Sequence, residues 1–258
     1  MAWSVLWLLV SLASAASGTS LPDLVEMQER FAQLYQCPAD RGLATFSATI
    51  VSEQITYLAG SLGLPAPDLR LTFDGFSGFE VDYDREALLA REKGSLLADA
   101  ADAIKNAAEG FFQAYESLAF RNLCTHLPAT PTISLAGENV VLAYPDRTPG
   151  QTVHLTFSPE FRLLVMEARD APTNAAHRMM PRWVMADGRF VLVAVEVEFI
   201  QDGASAFHSL FKVENQSIDG IFLPSRVTMH ARDGGLASTK NALMEFQVTG
   251  YALGRSRR

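Results

Sequence analysis

The sequence predicts an α+β fold, a long antiparallel sheet curved over helices, and three observations carry that prediction. Asp-Gly pairs recur at 187–188, 202–203, 219–220 and 233–234, at steps of 15, 17 and 14 residues. Asp-Gly favours two-residue hairpin turns because both residues tolerate positive φ. Between the pairs, apolar and polar residues alternate: Phe207, Ser209, Phe211 and Val213 share one face, with His208, Leu210, Lys212 and Glu214 on the other. Alternation with period two marks an antiparallel sheet with one face covered. Ahead of this region, Leu97, Ala101, Ile104, Ala108, Phe111, Tyr115 and Leu118 follow steps of four and three, the stripe of an amphipathic helix.

The elements follow in chain order. Residues 5–13 (VLWLLVSLA) form an apolar run ending in Ala13-Ser14-Ala15, the small-x-small pattern of a signal-peptidase site. Residues 1–15 are therefore expected to be a cleaved signal peptide and 16–254 one α+β domain, exported to a periplasmic or extracellular compartment. The run is shorter than the ~20 apolar residues that cross a bilayer. No other stretch reaches that length, so no integral membrane segment is expected after signal removal.

Ser20-Leu21-Pro22-Asp23 reads as a helix start with Ser20 as the N-cap, and Leu24, Met27, Phe31 and Leu34 continue it as an apolar stripe that stops before Cys37-Pro38. Residues 43–51 read as a strand or a short buried segment. A helix over 52–62 ends at Gly63, and 69–83 reads as a hairpin turning at Asp74-Gly75. The long helix spans about 86–122, with a break near Gly94. Earlier strands are expected at 139–144, 151–157, 161–168 and 179–186. Residues 190–195 (FVLVAV) are apolar on both faces, so that strand is expected to be covered on both sides at its start. Residues 255–258 read as a basic tail.

Charge and cysteine content narrow the function. Lysine plus arginine number 21 against 29 acids, a net charge of −8, which speaks against a nucleic-acid partner. In an oxidising compartment the two cysteines, Cys37 and Cys124, permit one disulfide, and two separate buried thiols fit the sequence equally well.

Catalytic motifs fail on spacing. Gly75-Phe76-Ser77-Gly78 imitates a nucleophile elbow, but Phe79 stands where glycine is required. Asp82, Asp84 and Glu86 imitate a calcium loop, yet Ala87 and Lys93 occupy its glycine and final glutamate positions. The histidines at 126, 154, 177, 208 and 230 lack metal-ligand spacing, although His208 and His230 fall on the polar faces of adjacent strands. Glu196 and Glu198 share a face and read as an exposed acidic stripe. Asn215-Gln216-Ser217 fits a glycosylation sequon. No metal and no cofactor is expected.

The segment Val213–Met229 (VENQSIDGIFLPSRVTM) together with Ala242–Tyr251 (ALMEFQVTGY) resembles the closing strands of the periplasmic outer-membrane lipoprotein carrier and lipoprotein-sorting superfamily. The resemblance covers roughly the last 70 residues plus the general architecture. It implies an incomplete, curved barrel with helices packed on its concave side and an apolar group bound there. The region 52–122 is longer and more helical than in a simple carrier. With 16 Phe and 8 Met, the sequence points to a non-enzymatic protein that binds a lipid, an acyl chain or an acylated protein. Phe190, Phe207, Phe211, Leu223, Met229, Met244 and Phe246 are the expected lining. An exported hydrolase with a dispersed site, or an envelope sensor or scaffold meeting other envelope proteins, are the alternatives.

Overall fold

The computed structural model describes residues 21–255 except 76, 122, 124–126, 129, 147 and 232–242. The signal segment, Ser20, Cys124, His126, Asp233-Gly234, Arg257 and Arg258 lie outside the described residues.

Helix α1 (Leu24–Leu34) starts at Asp23, whose Oδ1 accepts the Glu26 amide at 2.8 Å. Asp23, not Ser20, is therefore the N-cap, because its carboxylate satisfies a free first-turn donor and its charge opposes the helix dipole. A 3₁₀ turn (Ala39–Arg41) leads into β1 (Leu43–Val51), followed by α2 (Glu53–Leu62), which ends at Gly63 with φ +68°. Strands β2 (Leu69–Asp74) and β3 (Gly78–Asp82) form the expected hairpin.

The long helical segment breaks as predicted, into α3 (Arg85–Leu89) and α4 (Gly94–Tyr115), the latter continuing as a π-helical turn to Phe120. Gly94 is required there, because a Cβ would lie inside contact distance of the Leu88 carbonyl. The buried stripe of α4 includes Leu97, Ala101, Ile104, Ala108, Phe111 and Tyr115, the spacing read from sequence.

Nine further strands complete the sheet: β4 (Thr132–Ala136), β5 (Asn139–Pro145), β6 (Gln151–Phe157), β7 (Leu163–Asp170), β8 (Ala175–Ala186), β9 (Arg189–Gln201), β10 (Ala204–Ile218), β11 (Ile221–Ala231) and β12 (Met244–Arg255). The sheet is antiparallel and open, in the order β3-β2-β1-β12-β11-β10-β9-β8-β7-β6-β5-β4. Successive strands are neighbours from β4 to β12, and β12 joins this run to β1. The three described Asp-Gly pairs are all hairpin turns with positive φ at both residues, as at Asp219 (+51°) and Gly220 (+75°). Arg255, grouped by sequence with the tail, is instead the last residue of β12, opposite Leu43.

A register shift explains the strand that looked apolar on both faces. Arg182 pairs with Ala194 but Trp183 pairs with Leu192, so Val193 is an extra residue in β9. Such a bulge exchanges the faces. Phe190 meets Tyr35 before it, and Val195 after it falls in register with Phe211, which meets Phe111 of α4. Val191 and Leu192 are both buried, as are Ala194 and Val195, which matches the expected two-sided cover.

Strand β12 is divided between two neighbours. It pairs with β11 over Arg226–Met229 and with β1 over Leu43–Val51. Where β11 and β12 part, side chains close the seam. Gln216 Nε2 donates to the Val248 carbonyl at 3.3 Å, and the Tyr251 hydroxyl donates to the Pro224 carbonyl at 2.7 Å. Gln36 Nε2 donates to the Phe222 carbonyl at 3.2 Å. Burial pushes the Tyr251 and Tyr115 hydroxyls well above the ordinary tyrosine range, so both serve as neutral donors.

Candidate functional site

The face of the sheet that meets α1 and α4 is apolar along almost its whole length. Cross-strand register places Leu142, Leu155, Met166, Met179, Val197 and Ser209 in one row across six strands. A second row runs Pro181, Val195, Phe211, Met229, Met244. A third runs Tyr144, Val153, Ala168, His177, Phe199, Phe207.

Cover over this face is uneven. Under α4, Phe211 lies 5.8 Å from Phe111, and Phe246 lies 6.4 Å from Phe111 and 6.5 Å from Phe112. Under α1, Tyr35 stacks on Phe31 at 3.9 Å and meets Trp183 and Phe190. Toward the β9–β10 turn the cover thins. Met166, Met179, Val197, Phe199, Met229 and Met244 are partly exposed, and Phe207 is 49% exposed. Within this methionine-rich band the Ser209 hydroxyl is fully buried and has no hydrogen-bond partner among the described residues.

The seven expected lining residues separate accordingly. Phe211, Leu223 and Phe246 are buried in the packed core, and Phe190 is wedged against Tyr35. Met229 and Met244 face each other directly across β11 and β12. Phe207 lies opposite Phe199 at the open end. Phe246 also borders a cleft of about 180 Å³ with Val51, Gln54 and Gln247. Sequence reasoning missed Met166, Met179, Val197 and Phe199. Their signal was the alternation in β7, in β8 and in the second half of β9, weakened at Met179 because β8 begins at Ala175 and not at Met179.

The opposite face carries charge, but not as an exposed acidic stripe. His154, Glu167, Arg178, Glu198 and His208 lie directly opposite one another across five strands. Arg178 bonds Glu167 at 2.7 Å and Glu198 at 3.2 Å, and Arg169 also pairs with Glu167. Glu196 is only 8% exposed, paired with Arg182 and 3.3 Å from His208 Nε2. The stripe expected at Glu196 and Glu198 is thus an ion-paired ladder, because the flanking strands bring arginines opposite the acids. Burial alone would raise the Glu167 pKa, but hydrogen bonds and charge from Arg169 and Arg178 outweigh it and hold the carboxyl below its ordinary value.

His208 and His230 do not share a cross-strand pair: His208 opposes Glu198, and His230 opposes Leu210. Among the described residues no group of three or more His, Cys, Asp or Glu is placed to hold a metal. Asp84, part of the calcium-loop imitation, caps α3 by accepting the Ala87 amide at 2.9 Å. The sequon Asn215 spends its amide on the Leu192 carbonyl at 2.8 Å, so the nitrogen a glycosyl group would need is engaged inside the sheet.

No known family model matches the chain, and no curated protein or solved structure does either. Among the described residues, no helix is long and apolar enough to cross a membrane.

Proposed function

We propose that this chain is an exported, non-enzymatic binding protein for an apolar ligand, a lipid, an acyl chain or the acyl group of a lipoprotein. In this reading the open sheet is curved as an incomplete barrel, α1 and α4 pack on its concave side, and the ligand lies on the same side. The observation that carries the proposal is the band of Met166, Met179, Met229, Met244 and Phe199, partly exposed at the edge of the core, with Phe207 49% exposed beside it. Methionine side chains are unbranched and polarizable, so they adapt to chains of variable shape. An apolar area left in water also lacks the burial that stabilises the rest of the face.

Export belongs to the same proposal, and at Cys37, which is buried, a bridge to Cys124 and a separate buried thiol are the two alternatives. Organic-solvent extraction of the purified protein followed by mass spectrometry tests the binding function. A co-purified lipid, displaced by a fluorescent fatty acid, supports it. A protein that carries no lipid and takes up no fatty-acid probe overturns it. Thiol titration in denaturant without reductant reports the bridge.

A further inference from the structure

The end of the sheet away from the methionine band carries a cleft of about 390 Å³ between the β8–β9 and β10–β11 turns. Arg41, Arg189 and Arg255 line it, with Asp187, Asp219 and an apolar wall of Ile221 and Phe222. The arginines come from three elements: the 3₁₀ turn, the first residue of β9 and the last of β12.

Each guanidinium is held in place from behind. Arg41 Nη1 donates to the Gly220 carbonyl. Arg189 Nη1 donates to the carbonyls of Ala32 at 3.4 Å and Tyr35 at 3.3 Å, at the end of α1, a helix with no basic residue in its last turn. Arg255 Nη2 bonds Asp219 at 3.3 Å. A guanidinium has five N–H donors, so these anchors leave most of them free. Anchoring also removes much of the side-chain entropy a ligand would otherwise have to quench.

The charge is unbalanced here. The arginines of the outer face pair with carboxylates, whereas Arg41 and Arg189 bond only backbone carbonyls among the described residues. Three guanidiniums face two carboxylates, in a chain whose net charge is −8. The two aspartates have an independent reason to be there, since each is the first residue of an Asp-Gly turn and sits at φ of +50° or +51°.

We infer that this cleft binds a phosphate group. Planar forks converging from three elements suit a tetrahedral oxyanion better than a single carboxylate, which one fork can satisfy. The site is separate from the apolar face, so it stands whether or not a lipid binds there.

Calorimetric titration with inorganic phosphate at low ionic strength tests it. Saturable one-to-one binding is expected, weakened about tenfold or more in Arg41→Gln/Arg255→Gln, whose side chains are largely exposed. Asp219→Asn, which removes an opposing charge and leaves the turn intact, should tighten binding severalfold. It carries the test even if the double variant folds poorly. Absence of saturable binding, or binding unchanged in both variants, overturns the proposal. Vesicles of phosphatidylcholine with and without phosphatidylglycerol then separate the sources. Phosphate-displaceable binding to the anionic vesicles alone identifies a lipid headgroup, and binding of the free ion without vesicle binding identifies a soluble phosphate ester.

Discussion

Phe111 of α4 and Phe211 of β10 stand 5.8 Å apart, ring against ring, with Phe211 only 7% exposed. That contact fixes how the centre of the inner face responds to substitution. Phe211→Trp adds volume where a helix is already seated, and overpacking of this kind costs roughly 1–3 kcal/mol. Lys212→Glu, one residue along on the exposed face, should change stability by less than about 0.5 kcal/mol. Urea denaturation of both variants checks the contrast, and a neutral Phe211→Trp would mean that α4 is not seated on β10.

At the open end the expectation reverses. Phe207→Ser should cost at most about 0.5 kcal/mol, because the ring is half exposed. If the methionine band holds an acyl chain, the same variant should weaken fatty-acid-probe binding severalfold, and Met179→Lys should weaken it further. Probe affinity measured beside thermal stability separates the two effects. Undiminished affinity in both variants would place any probe elsewhere.

The ion ladder predicts an acid-side loss of stability. Glu167 has a lowered pKa in the folded state, so its carboxylate form is favoured by folding. The resulting stabilisation is present above the unfolded carboxylate value, about 4.3, and is lost as pH falls through the lower folded value. Glu167→Gln should therefore be less stable than the parent at pH 7, with the gap closing as pH falls below that range. Arg178→Ala leaves Glu167 with Arg169 alone and takes the ion-pair partner from Glu198, and should cost roughly 1–2 kcal/mol at neutral pH. Stability curves at several pH values test both.

Gly94 separates α3 from α4 by close approach to the Leu88 carbonyl. Gly94→Ala should cost roughly 1–3 kcal/mol, although alanine is the better helix former. A stabilised variant, read by thermal melting, would show that the junction yields without strain.

Much of the fold was legible because it rests on local chemistry. The Asp-Gly turns, the stripe of α4 and the Gly63 stop each follow from neighbours a few residues away. The bulge at Val193 was visible only as a blur, an apolar run without a face, since an inserted residue scrambles period two. The ladder was illegible for a different reason. Glu167, Arg178 and Glu198 are distant in sequence, and only register makes them neighbours. The candidate lining was found where strands alternate cleanly, at Met229 and Met244, and missed at Met166 and Met179. Which lining residues the helices cover, as at Phe211, depends on packing between layers that no single segment encodes.

The divided pairing of β12 has a mechanical consequence. Among the described residues four residue pairs fasten it to β11, and beyond them side chains such as Gln216 and Tyr251 bridge the seam. Backbone ladders reinforce one another, whereas isolated side-chain bonds fail one at a time. The twelve strands are therefore riveted as a block of eight, β4 to β11, and a block of four, β12 with β1 to β3. Under native conditions amide exchange should resolve the two as separate units, each with its own opening free energy, and the line between them should lie between Pro224 and Val248.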